Sequence, residues 1–204
     1  MKIIKLADIH IEEIVEELRR GATVVYPTET CYGLGCDATN QQAVDNIFKI
    51  KNRQAHKPLL VVADDPALIK KHVVWDETLT RIADIYWPGA LTVVAQASDM
   101  CELAEGVRAK DNTIAFRITE HPLIQDLVQG LGAPLVSTSA NIASHASPYD
   151  VREVLQMFEH KDDKPDILID AGELPHQSPS TIIKVADGEI TVLRQGGVIV
   201  SELF

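Results

Sequence analysis

Four cations crowd the segment IFKIKNRQAHKPLL, at Lys49, Lys51, Arg53 and Lys57, in a chain whose 19 basic and 30 acidic side chains leave a net charge of -11. Residues 46–63 contain no Asp or Glu, so the fields of these cations add and an anion is the expected partner. If Lys51 closes a helix and Arg53 lies just beyond it, the two need not share one solvent face. An ammonium point charge beside a two-donor guanidinium fork suits a polyphosphate. The competing reading is a solvated patch of ordinary surface cations, and spacing alone leaves the two open.

A second group is PLVSTSANIASHASPY, within residues 127–149, a stretch free of Asp, Glu, Lys and Arg whose polar content is hydroxyl and amide. Ser137, Thr138, Ser139 and Asn141 follow a short apolar run. They would sit at the carboxyl end of a strand, where open α/β sheets hold ligands, and could hydrogen-bond phosphate or base without adding charge. An ordinary Ser/Asn-rich turn bonded to its own backbone would have the same composition.

Several chemistries lack their signatures. GLGCDA, residues 33–38, has the glycine spacing of a dinucleotide fingerprint, but the strand that should precede it directly ends at Pro27, so Gly33 and Gly35 are expected to serve close backbone packing. GxxxxGK[ST], HExxH and GxSxG are absent, which removes support for a P-loop, a zinc hydrolase or an acyl-enzyme serine. Cys31, Cys36 and Cys101 form no CxxC pair, so neither a disulfide framework nor a zinc knuckle is expected and a reducing cytoplasm is. The net charge argues against a surface that grips nucleic acid throughout. No signal peptide or membrane span is expected either.

The elements that must carry these groups read as alternating strands and helices. Strands are expected at residues 2–6, 23–26, 58–63, 91–95, 113–118, 134–137 and 167–170. Ile11, Ile14, Val15 and Leu18 have helical spacing, with Asp8 as N-cap and Gly21 as stop. A second helix over 40–51 buries Val44, Ile47 and Phe48. Asp187-Gly188 joins two late runs as a hairpin, which makes the sheet mixed. One α/β domain over residues 1–204 is the simplest account.

In chain order, YPTETCYGLGCDA, the Lys51-Asn52-Arg53 triplet, WPGALTVV, TIAFRITEHP, PLVSTSAN, SPST and LRQGG resemble the YrdC-like threonylcarbamoyl-AMP synthase family across nearly the whole sequence, in its short form. The resemblance implies a twisted open mixed α/β sheet flanked by helices, with a concave, positively charged face. It implies an enzyme, a nucleotidyltransferase that makes threonylcarbamoyl-AMP and pyrophosphate from L-threonine, bicarbonate or CO2, and ATP carrying Mg²⁺. A separate transferase complex would take the product for threonylcarbamoyladenosine modification of tRNA beside the anticodon. The implied ATP contacts are Lys51, Arg53, Ser139, Asn141 and Arg194, with Lys51 and Arg53 catalytic; Thr30, Arg117 and Ser180 would line the threonine side. No protein metal ligand is implied.

Arg117 sits in an otherwise apolar strand, so a substrate carboxylate or an internal acid such as Glu120 must neutralise it. Val62 stands where longer relatives often carry a histidine. Asn141 argues against the paralogous branch that lacks this asparagine. A non-catalytic RNA-binding paralogue of the same fold, and carbamoyl transfer from carbamoyl phosphate, remain the competing functions.

Overall fold

The computed structural model describes residues 1–54 and 56–200. In chain order the elements are strand β1 (Lys2–Lys5), helix α1 (Ile11–Arg19), β2 (Val24–Pro27), β3 (Tyr32–Gly35), α2 (Gln41–Lys51), β4 (Val61–Ala63), α3 (Pro66–Lys70) and α4 (Glu77–Tyr86). They continue with β5 (Leu91–Gln96), β6 (Thr113–Ile118), α5 (Pro122–Leu131), β7 (Leu135–Val136), β8 (Thr138–Ser139), α6 (Val151–Phe158), β9 (Ile167–Asp170), β10 (Thr181–Ala186) and β11 (Glu189–Arg194).

The strands form two open mixed sheets, ordered β1-β9-β2-β3-β8 and β11-β10-β5-β6-β4-β7. In the first, β9 runs parallel to β1 and β2, while β3 is antiparallel to β2 and β8. In the second, parallel pairs β10–β5 and β6–β4 alternate with antiparallel pairs. The single sheet expected from sequence is thus two, because one segment serves both: β7 pairs with β4 and, one residue later, β8 pairs with β3. Ser137 lies at this crossing, and its N–H donates to the Leu60 carbonyl at 2.9 Å. The Tyr26 hydroxyl donates to the Val136 carbonyl at 3.0 Å and pins the seam from the other sheet.

The strand expected over 58–63 pairs only at Val61–Ala63. Pro58 has no N–H to offer a ladder, and the Leu59 N–H is taken by the Gly106 carbonyl at 2.7 Å. The YGLG run, to which no strand was assigned from sequence, is strand β3, and the close backbone packing expected of its glycines is found at Gly35. A side chain at residue 35 would put its Cβ 2.0 Å from the Val136 carbonyl oxygen, so glycine is required there for close approach of the two sheets. A dinucleotide fingerprint would open a helix at these glycines, whereas the next helix starts at Gln41.

Helix α1 buries Ile14, Val15 and Leu18 as its spacing predicts. Its N-cap is His10 rather than Asp8, which instead closes a 3-10 turn at Leu6–Asp8. The helix packs on α5 at Gly130, where a Cβ would come within 2.7 Å of Val15 Cγ2. Helix α2 is capped by Asn40, whose Oδ1 accepts from the Ala43 N–H at 3.1 Å. It buries Ala43, Val44, Ile47 and Ile50, with Phe48 half-buried. Two groups of buried apolar side chains form the core, the larger between the sheets and α2, α4 and α6, the smaller beneath α1 and α5. Among the described residues no helix is long and apolar enough to cross a membrane.

Candidate functional site

Helix α2 ends at Lys51 because Asn52 adopts the left-handed conformation, φ 47°, which asparagine tolerates better than most residues. The reversal sends the flanking cations in different directions. Arg53 turns into a cavity of about 340 Å³ that draws its wall from both sheets. Lys51 turns inward and is only 2% exposed.

Six of the eight residues that the resemblance assigns to the site line this cavity, Thr30, Arg53, Arg117, Ser139, Ser180 and Arg194, and Ser137 and Thr138 line it with them. Lys51 and Asn141 stand behind its wall. Lys51 Nζ donates to the Ser139 carbonyl, to the Asn141 carbonyl at 2.7 Å and to Asn141 Oδ1 at 3.2 Å. Asn141 Oδ1 also accepts from Ser139 Oγ at 2.5 Å, and its Nδ2 donates to the His145 carbonyl at 2.5 Å. The buried ammonium therefore ties down the turn that follows β8. Burial, then the Arg53 charge, lowers the Lys51 pKa to about 7; three oxygens around Nζ match the three donors of an ammonium and favour its charged form.

Arg53 is anchored by the loop it enters, donating from Nε to the Lys57 carbonyl at 2.9 Å and from one terminal nitrogen to the Pro58 carbonyl at 3.0 Å. Arg194 returns to the cavity through the β10–β11 hairpin, whose turn residues Asp187 and Gly188 both have positive φ, 53° and 78°, as a two-residue type I′ turn requires. Its guanidinium donates to the Ser180 carbonyl at 2.7 and 3.2 Å and to Ser180 Oγ at 3.1 Å. Ser180 Oγ also accepts from Thr92 Oγ1 at 3.0 Å. The first glycine of LRQGG makes this closure feasible, since a Cβ on Gly196 would lie 2.1 Å from the Pro179 carbonyl oxygen. Burial lowers the pKa of both arginines, helped at Arg194 by the Arg117 charge, yet a guanidinium starts so high that it stays charged.

Thr30 is presented by a tight turn after β2. Thr28 Oγ1 accepts from the N–H groups of Thr30 and Cys31 at 3.0 and 3.2 Å and donates to the Cys31 carbonyl at 2.7 Å. Arg117, 3% exposed on β6, forms an ion pair at 3.1 Å with Glu29. The internal acid is thus Glu29 from that same turn, not Glu120, which is exposed.

Sequence reasoning passed over Cys31, Thr92, Tyr149 and Gln177, which also line the cavity. Cys31 presents a neutral thiol, its pKa raised by burial. Tyr149 stacks on His176 at 3.9 Å between ring centroids. Their participation depends on long-range folding, and no local spacing announces it. A larger cavity of about 640 Å³ beside α2 contains none of the eight singled-out residues, and its wall mixes Asp45 and Glu105 with Arg108 and Lys110. In the 340 Å³ cavity three arginines and a band of hydroxyls converge, with no Asp or Glu among the described residues of the lining. That arrangement can hold phosphate groups and a carboxylate together.

The chain is similar to known proteins in sequence and in fold. Residues 16–196 match the Sua5/YciO/YrdC family, which carries the description "Telomere recombination". A protein of Methanocaldococcus jannaschii is 33% identical over 99% of this chain and 96% of its own length. The threonylcarbamoyl-AMP synthase of Pseudoalteromonas translucida is 38% identical over 69% of this chain and 76% of its own. Among solved structures, P. abyssi Sua5 complexed with L-threonine superposes with a TM-score of 0.89 at 29% identity. The match covers 100% of this chain but 60% of Sua5, so the chain spans about three fifths of that relative.

Proposed function

The chain belongs to the Sua5/YciO/YrdC family, and from that premise we propose that it is a threonylcarbamoyl-AMP synthase, a nucleotidyltransferase acting on L-threonine, bicarbonate or CO2, and ATP. The observation that carries this reading is the cavity wall, where Arg53, Arg117 and Arg194 face one space and, among the described residues, only Arg117 has a carboxylate partner, Glu29. A polyphosphate and an amino-acid carboxylate together match that demand for negative charge.

In this proposal Arg117 takes the threonine carboxylate, and the hydroxyls of Thr30 and Ser180 orient the rest of the amino acid. The threonine ammonium loses a proton to water. Its nitrogen then forms a bond to CO2, and the second N–H proton released leaves a carbamate. A carbamate oxygen attacks the α-phosphorus of ATP; a P–O bond forms, the bond to the bridging oxygen breaks, and that oxygen departs with pyrophosphate. Arg53 and Arg194 neutralise the charge that moves onto the leaving group. Donors fixed before the reaction are effective because they need no reorganisation at the transition state, and holding both reactants supplies much of the remaining acceleration. Lys51 acts one step back, fixing the turn that carries Ser139 and Asn141.

No group of three or more His, Cys, Asp or Glu able to hold a metal ion occurs among the described residues. The described side chains thus offer no magnesium cage of their own, and a Mg²⁺ ion would be carried by the triphosphate. The adenylate would pass to a separate tRNA-modifying transferase complex. The test is pyrophosphate release by the purified chain: it should require threonine and bicarbonate together, and equal release with ATP alone would overturn the reading. Salt-sensitive RNA binding without any turnover would favour an RNA-binding paralogue instead.

A further inference from the structure

Behind the cavity wall, four buried polar atoms of three neighbouring residues have no hydrogen-bond partner: both carboxylate oxygens of Glu29, Nε of Arg117 and Nδ1 of His121. The Arg117–Glu29 pair is in Coulomb contact at 3.1 Å, with side chains 4% and 13% exposed, yet neither Glu29 oxygen meets an aligned donor. A buried ion pair that leaves its own donors and acceptors unmatched is poorly compensated for its desolvation. Arg117 faces the cavity while Glu29 does not, although its neighbours Thr28 and Thr30 both do. The turn offers its hydroxyls to the cavity and sets its one carboxylate against the Nη2 end of the guanidinium. His121, whose pKa is lowered by burial, stays neutral at physiological pH and adds no competing charge.

We propose that Glu29 is a positioning residue, the counter-charge that holds Arg117 through Nη2 and thereby sets how tightly a substrate carboxylate is gripped. The inference rests on Arg117 being the carboxylate anchor proposed above. With ligand bound, two carboxylates share one guanidinium and repel each other, so the grip is moderated while the plane of the fork stays fixed. Arginine can do this because its donors lie along separate edges of a rigid plane, one of which can face Glu29 and another a ligand.

The experiment is calorimetric titration of the full chain and two variants with L-threonine, L-threoninamide and ATP, beside steady-state pyrophosphate release. Glu29→Gln keeps the shape and removes the charge. It should bind threonine about tenfold more tightly, because the like-charge repulsion is gone, while threoninamide and ATP bind as in the parent. The Michaelis constant for threonine and the turnover number should both fall, since the fork is no longer held in plane. Glu29→Asp, which withdraws the charge by one methylene, should tighten threonine binding by a smaller factor of about threefold, and it decides the matter if the glutamine variant does not fold. Unchanged or weaker threonine binding in a folded variant, or an equal gain with threoninamide, overturns the role of Glu29. Failure of the parent chain itself to bind threonine overturns instead the reading on which the inference rests.

Discussion

Replacing Lys51 by methionine separates a lysine that builds the site from one that reaches the phosphates. Two effects oppose each other at this 2% exposed side chain. Burial and the Arg53 charge bring its pKa from 10.5 to about 7, equivalent to roughly 5 kcal/mol against the ammonium at neutral pH. Against this stand its bonds to the Ser139 carbonyl, the Asn141 carbonyl and Asn141 Oδ1, and hydrogen bonds to a charged donor contribute about 1.5–3 kcal/mol each. Methionine removes the cost and the bonds together. It leaves the Asn141 carbonyl without its donor, whereas the Ser139 carbonyl keeps the Asn141 N–H at 2.8 Å and Asn141 Oδ1 keeps Ser139 Oγ. The bonds outweigh the cost, so Lys51→Met should lower stability by about 2 kcal/mol. ATP affinity should fall with it, because the Ser139–Asn141 turn loses its tie. Arg53→Ala, which gives up bonds to the Lys57 and Pro58 carbonyls at the loop surface, should lower stability by about 1–2 kcal/mol yet reduce turnover on the order of 10² to 10³-fold. Urea unfolding beside ATP titration reads both quantities. A Lys51→Met variant as stable as the parent but stripped of turnover would refute the reasoning and put the ammonium on the phosphates.

Three further outcomes follow from particular contacts. Gly35→Ala would place a Cβ 2.0 Å from the Val136 carbonyl oxygen and 2.7 Å from the Tyr26 hydroxyl, so thermal melts should show a loss of at least about 3 kcal/mol. His72 is fully buried, with Nε2 unpartnered and Nδ1 accepting from the Glu102 N–H, and burial lowers its pKa to about 4. As pH falls from about 6.5 towards 4 the unfolded chain therefore takes up a proton that the folded one refuses. Stability should drop over that window by up to about 3 kcal/mol, and His72→Gln should remove that component from the pH dependence. Arg117→Lys keeps the charge but loses the two-donor fork, so threonine affinity should weaken about tenfold or more with ATP affinity near normal; a lowered melting temperature with unchanged threonine binding would make Arg117 part of the scaffold.

Much of the fold was legible because it rests on local rules. Strands β6 and β9 span the residues expected of them, and the hairpin at Asp187-Gly188 follows from two positions that both need positive φ. The division into two sheets was not legible, since it depends on residues 135–139 changing partners in mid-segment, and hydrophobic pattern does not encode which strand pairs with which. Strand β3 was missed although close packing was expected of its glycines, because a run with two glycines in four residues carries little strand propensity and its partners β2 and β8 are set by tertiary pairing. At the site, the spacing of Lys51 and Arg53 gave both residues, but not that Asn52 would turn one into the cavity and the other behind it. Glu29 carries no local signal of pairing with Arg117, 88 residues away in sequence; only β6 and the turn after β2, folded together, create that contact.

The central claim is that a carbamate made from threonine attacks the α-phosphate of ATP, and mass spectrometry of the product formed with ¹³C-bicarbonate tests it most directly. The expected product carries threonine, one labelled carbon and the adenylyl group in a single molecule, with pyrophosphate released in equal amount. ADP and phosphate, or an adenylate of threonine without the labelled carbon, would contradict the account.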